Sequence, residues 1–342
     1  MRQRYLIRHY IPFLVTFFFF FNIFLGGYDI FIEKNMKKTY HLCLSGGNEV
    51  MYRSKDDYIR GINSLCMAAH KTGSSLLAYA IMSNHVHICV RTEDPTLFMT
   101  AYRYPYNRYF NSKYKRRGSL GEIDYFELEV EGLNHLLTAV AYILRNPMHH
   151  GITSTPFGYA FSSVNAIFRE ELGRQPVEYH MPKKSQYQYI SGREKLPSGF
   201  LMNTEGMILP ETVIDIADLQ HQFSTARTYI YYLNRLSGDA WIKEQFQDNN
   251  GLEPISIETI EKGINYQDLR SMLANEYGRA NYKSLNDIQL CDEIDRRILP
   301  KYFSGRTVYE LSQSEHVKIC EYLVSTFHVP LSQIERCLGI AL

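Results

Sequence analysis

Ile81-Met82-Ser83-Asn84-His85-Val86-His87-Ile88-Cys89-Val90 is the stretch on which the reading of this chain turns. In a β-strand, residues two apart share a face, so His85 and His87 point the same way while Val86, Ile88 and Val90 line the other, buried side. Two neutral imidazoles side by side on a rigid strand are a starting point for a divalent metal site. Taken alone, a His-x-His on a strand is more often a pair of hydrogen-bonded or exposed imidazoles than a ligand pair. The stretch matters because of what surrounds it.

Upstream, Thr39–Leu44 alternates as a strand and closes in the turn signal Ser45-Gly46-Gly47-Asn48. Ser54 is placed to cap a helix, with Asp56 and Asp57 in its first turn and Tyr58, Ile59, Ile62, Leu65, Cys66 and Ala69 at helical spacing. Ser75–Met82 reads as a second strand, returned by the Ser83-Asn84 turn as the His85–Val90 strand. Pro95 opens a second helix toward Tyr114, with a kink expected at Pro105. Tyr125–Val130 is a fourth strand, and Leu133–Asn146 a third helix expected to stop at Pro147. The order β-α-β-β-α-β-α predicts an α+β, ferredoxin-like catalytic domain: an antiparallel sheet with the histidine strand central, helices on one face and the other face open for a ligand.

At 100° per residue, Leu133, Leu136, Leu137, Val140 and Leu144 form one apolar stripe of the third helix. Tyr142 lies opposite that stripe, Asn146 sits one turn further on, and His135 shares their side. A helical Tyr is ordinarily a core or boundary residue; one that points away from the stripe faces water, a partner or the open side of the sheet. A metal held by His85, His87 and the Asn146 carbonyl oxygen would polarise a phosphodiester, and Tyr142 would attack phosphorus to form a covalent phosphotyrosine. The mixed nitrogen and oxygen donors suit Mg²⁺ or Mn²⁺, although two imidazoles also accept Zn²⁺.

The run Met82–Val90 resembles the HUH motif of the single-tyrosine transposases of small insertion sequences. Tyr142-Ile143-Leu144-Arg145-Asn146-Pro147-Met148-His149-His150-Gly151 is similar to the nucleophile helix of their REP-associated tyrosine transposase branch, and Tyr40-His41 and Phe161-Ser162-Ser163 look like further landmarks. The match covers roughly residues 38 to 168. It implies that His85 and His87 are metal ligands, that Asn146 completes the metal site, that Tyr142 is the nucleophile, and that the chain cleaves and rejoins single-stranded, hairpin-associated DNA as a homodimer. Ser83 stands where that family usually has Pro, His149-His150 where it often has Arg and a small residue, and the acidic segment Gly118–Val130 lacks its Gln/Arg-Phe-Lys pattern.

Between Asp94 and Glu122 no residue is acidic, while Arg103, Arg108, Lys113, Lys115, Arg116 and Arg117 alternate with Tyr102, Tyr104, Tyr106, Tyr109 and Tyr114. Cations for phosphates and aromatics for unstacked bases are what single-strand binding uses, so the six cations with Tyr109 and Tyr114 are the candidate DNA surface. The plainer reading is a solvated helix face.

The 342 residues suffice for two domains, and 45% hydrophobic with 21% charged residues is a globular composition. A net charge of +1 excludes a global basic field, so any nucleic-acid surface must be local. Six scattered cysteines without C-x-x-C spacing argue against a zinc ribbon or disulfide framework and fit a reducing, cytoplasmic setting, nucleoid-associated when bound to DNA.

Residues 1–35 differ: Arg2, Arg4 and Arg8 precede an apolar run through Phe17–Phe21 to Leu25, short for a membrane span. They read as a misassigned start with translation beginning at Met36, the rival being a genuine membrane anchor. Domain boundaries follow at 36–170 (catalytic), 171–200 (linker) and 201–342 (helical, for DNA recognition or dimerisation). The tail Pro330–Gly339 reads equally as the first helix of a helix-turn-helix or as a packing helix. Two functions compete with the transposase: a catalytically silent hairpin DNA or RNA-binding regulator of the same fold, and a metal hydrolase of small phosphoesters.

Overall fold

Strand β1 (Lys38–Ser45) pairs antiparallel on both sides, with β3 (His85–Thr92) and with β4 (Phe126–Val130). β2 (Ser75–Ile81) pairs antiparallel with β3, giving the order β2-β3-β1-β4. The computed structural model describes residues 36–175, 177–179, 183–190, 194–235, 239–246, 254–255 and 285–340. The apolar run at 11–25 lies outside them, as do residues 256–284 of the half expected to be helical. The fold class is the α+β, ferredoxin-like one expected from the sequence.

Helix α1 (Lys55–Lys71) starts from a capping box in which Ser54 and Asp57 satisfy each other's backbone N–H groups, and Gly73 follows it at φ +61°. Helix α2 (Pro95–Tyr114) begins with the Asp94 carboxylate accepting from the Leu97 N–H at 2.9 Å and runs unbroken through Pro105. These crossover helices join parallel strands that flank a third one, and they pack against each other on one side of the sheet. Val86, Ile88 and Val90, all fully buried, point to that side.

Helix α3 (Leu133–His149) departs from expectation twice. It does not stop at Pro147: the ring keeps helical φ, and the end is closed two residues later by His150 N–H to the Asn146 carbonyl and Ile152 N–H to the Pro147 carbonyl. Asn146 therefore keeps its helical phase with Tyr142. Nor is the second face of the sheet open. His135 to Pro147 are all buried, because α3 lies between the sheet and the helix Ala226–Asn234. The expected stripe is buried apart from Leu133, which is 47% exposed, but the opposite side is buried as well. Arg91, on the histidine face of β3, holds Asp218 of the helix Ile216–Phe223 at 2.8 Å. The outer edge of β2 is occupied too: Ile81 N–H donates to the Phe161 carbonyl, and Asp215 N–H to that of Leu76.

A second apolar cluster joins Val50 to Leu290, Ile294, Ile298, Val308, Ile319, Leu323, Ile334 and Leu338. It is built from the helix Asp287–Glu293, continued through a π-turn at Ile294–Ile298, and from Gln313–Phe327 and Leu331–Leu338. The last of these is a packing helix: Arg336, 1% exposed, forms a buried ion pair with Asp287 at 2.9 Å. Asp287 also accepts from Ser83 Oγ at 2.6 Å and Gln333 Nε2 at 3.0 Å, which anchors the cluster to the turn leading into His85. Burial works against the Asp287 carboxylate, but the Arg336 charge and these hydrogen bonds outweigh it and hold its pKa below the usual range. Its contribution is thus present above the unfolded value near 4 and lost only as pH falls below it. Replacing Asp287 by Ala leaves a buried guanidinium unpaired and should cost roughly 3–5 kcal/mol in urea denaturation at pH 7. An unchanged midpoint would show that the pair carries no stability.

Candidate functional site

The register of the sheet builds the site. Cys43 of β1 faces His87 and Ser45 faces His85, which brings His41 beside the histidine pair. His41 Nε2 lies 3.0 Å from His87 Nδ1, with the two rings stacked at 5.2 Å between centroids. From α3, Asn146 Oδ1 comes to 3.1 Å from His85 Nε2, and Asn146 Nδ2 donates to Tyr142 Oη at 3.3 Å. The Tyr142 ring stands perpendicular to His87 at 5.6 Å and lies 6.3 Å from His41. Tyr142, His85, His87 and Asn146 therefore meet as the sequence predicted. They meet out of solvent: His85, His87 and Asn146 are fully buried and Tyr142 is 3% exposed.

Three neighbours were not chosen from the sequence as site residues. His41 was visible only as a family landmark, because which strand lies beside β3, and in what register, is not written in β1. Asn84 places its Oδ1 2.9 Å from His85 Nδ1. Its own backbone is fixed by Gly46, whose N–H reaches the Asn84 carbonyl at 2.5 Å; a Cβ on residue 46 would come 2.8 Å from that oxygen. His150, which caps α3, has its ring 5.5 Å from His85 and a buried Nε2 with no hydrogen-bond partner among the described residues.

Burial decides the charge state. It lowers the His85 pKa to about 4, against the opposing pull of the Asn146 hydrogen bond, and that of His41 to about 3. His87 is pushed well below its usual value by burial first and then by His85, His41 and His150. All three imidazoles are neutral at pH 7, the form that binds metals. A neutral His85 has one N–H, yet each of its nitrogens faces an amide oxygen, Asn84 on one side and Asn146 on the other. The other nitrogen keeps a lone pair, which a cation can use. Two donors at right angles, each about 2.1 Å from one ion, stand about 3.0 Å apart, close to the 3.1 Å between His85 Nε2 and Asn146 Oδ1. His87 Nε2 is buried and has no hydrogen-bond partner among the described residues. The residues thus fit a divalent metal held by His85, His87 and Asn146. Among the described residues no three His, Cys, Asp or Glu side chains converge on a metal position.

The basic run is largely engaged in structure. Lys113 Nζ, Tyr109 Oη and Tyr114 Oη reach the buried Asp57 carboxylate at 2.7, 2.9 and 2.7 Å. Arg116 clamps Glu49 with two 2.6 Å bonds, Lys115 pairs with Glu310 at 3.2 Å, and Arg103 donates to the carbonyls of Glu122 and Ile123. Among the described residues, Arg108 and Arg117 have no carboxylate in reach.

No family model matches the chain, and no curated protein matches it. Among solved structures, a REP-associated tyrosine transposase bound to a REP hairpin aligns with 43% of this chain and 87% of its own, at 14% identity and a TM-score of 0.34. So loose a likeness decides nothing about activity, which must be argued from the geometry. No helix among the described residues is long and apolar enough to cross a membrane.

Arg116→Ala should behave as a folding mutation, since it removes the charge partner of Glu49 and a donor to the Arg117, Gly118 and Ser119 carbonyls. A loss of about 1–3 kcal/mol in denaturant unfolding is expected. Wild-type stability with reduced DNA affinity would instead return Arg116 to the binding surface.

Proposed function

We propose that this protein is a metal-dependent single-strand DNA endonuclease and strand transferase that works through a phosphotyrosine at Tyr142. The observation that carries this reading is the connected set Tyr142 Oη, Asn146 and His85, with His87 alongside. It joins a phenol to nitrogen and oxygen donors in a buried layer, where electrostatic interactions are strongest. A divalent ion at His85, His87 and Asn146 would, when bound, offset the charge that develops on the phosphodiester oxygens.

The chain's own residues account for the rest. Tyr142 Oη bonds to phosphorus while one ester P–O bond breaks, and the oxygen that leaves with the departing strand takes up the phenol's proton to become its hydroxyl. The phosphotyrosine retains the ester energy, so the reverse attack rejoins DNA without ATP. Asn146 orients both ends of this exchange: its amide nitrogen holds the phenol oxygen, and its carbonyl oxygen faces His85. His41 and Asn84 fix the rings of His87 and His85 as outer partners do in metal sites. A strand reaches Tyr142 only when α3, or the tyrosine side chain, turns away from the sheet, since the arrangement described is closed.

That closure is also the observation that favours the second reading, a hairpin-binding regulator with no strand cleavage. One experiment separates the two. Incubated with labelled hairpin-bearing single-stranded DNA and Mn²⁺, the wild type should give a protein–DNA adduct that survives a denaturing gel, and Tyr142→Phe should give none while still binding DNA. Absence of an adduct from the wild type, with binding intact, would leave the regulator; an adduct that persists in Tyr142→Phe would move the nucleophile elsewhere.

A further inference from the structure

We propose that the groove between α1 and α2, on the other side of the sheet from Tyr142, binds a segment of single-stranded DNA by one stacked base and its neighbouring phosphates. The groove has a volume of about 480 Å³ and is lined by Arg60, Lys71, Tyr104, Arg108, Tyr109 and Glu194, together with Thr100, Ala101 and Pro105. That volume is in the range of sites for small ligands.

Its charges are not self-cancelling. Lys71 is neutralised by Glu194 at 2.6 Å, but among the described residues neither Arg60 nor Arg108 has a carboxylate at salt-bridge distance. Arg60 is held in place by its hydrogen bond to the Ile190 carbonyl at 3.3 Å and by lying 4.8 Å over the Tyr109 ring. Arg108 lies 5.8 Å from the Tyr104 ring centre. The nearby cations Lys113, Arg116 and Lys115 are spent on Asp57, Glu49 and Glu310, so the two arginines in the groove stand out chemically.

Tyr104 is 63% exposed, a large aromatic face offered to solvent at the rim. Ordered guanidinium groups beside an open aromatic ring match phosphates beside an unpaired base. Stacking on an aromatic face is tolerant of sequence, because every base offers one. The inference rests on the proposed function only in choosing DNA over RNA.

The test uses the full chain carrying Tyr142→Phe, in EDTA, so that neither cleavage nor metal enters. Binding of fluorescein-labelled oligo(dT) of about ten nucleotides is followed by anisotropy against salt. Tyr104→Ala, an exposed position, should weaken binding roughly five- to hundred-fold with the melting temperature unchanged. Arg60→Gln with Arg108→Gln should lower the slope of log affinity against log salt by about 1.4. Wild-type affinity and slope in variants that melt normally would overturn the groove, and tighter binding of the matching RNA would overturn the choice of DNA. Failure of adduct formation with this binding intact would count against the phosphotyrosine chemistry and not against the groove.

Discussion

The contact between Asn146 Oδ1 and His85 Nε2, 3.1 Å long and out of solvent, is the constraint around which the domain is arranged. It joins α3 to the centre of the sheet, and it sets a polar helix side against a polar strand face. Burying that many imidazole and amide atoms is costly unless each finds a partner. Among the described residues several do not: His87 Nε2, His41 Nδ1 and His150 Nε2 are left over. A protein selected only for stability would fill this layer with leucine and valine, as it does on the opposite side of the same strands. Retaining neutral, unpaired nitrogens beside a phenol is explained by something that uses them.

The periphery supports this centre. The loop Gly46–Arg53 and the Ser83-Asn84 turn enter and leave the histidine strands, and both are gripped from the carboxy-terminal cluster. Asp287 accepts from Ser83, and Arg53 binds Asp295 in two places and the Cys337 carbonyl. The carboxy-terminal helices thus bear on the orientation of His85 through one turn, which gives that half of the chain a physical role in the site whatever else it recognises.

Much of this was legible in the sequence, because the signals were local. Period-two alternation around His85 and His87, the Ser54 cap, Pro95 after Asp94, and the helical spacing of Tyr142 and Asn146 each depend on neighbours within a few residues. Properties that depend on distant parts of the chain were not legible. The polar side of α3 suggested an open face, but residues 214–234 fold back to cover it, and no local pattern encodes that return. Pro147 was read as a stop because propensity disfavours proline inside helices, yet a proline one turn from the end costs little once tertiary packing holds the rest. The basic run looked like one DNA surface because the carboxylates that occupy most of it, Glu49, Asp57 and Glu310, come from other elements.

A titration of the full chain with Mn²⁺ at neutral pH, followed by electron paramagnetic resonance, tests the central claim most directly. One ion should bind per chain, and His87→Ala, which removes one donor from an otherwise intact layer, should weaken that binding by tenfold or more. Binding unaltered by the substitution, or no binding by the wild type at all, would contradict the account and leave the buried imidazoles as packing alone.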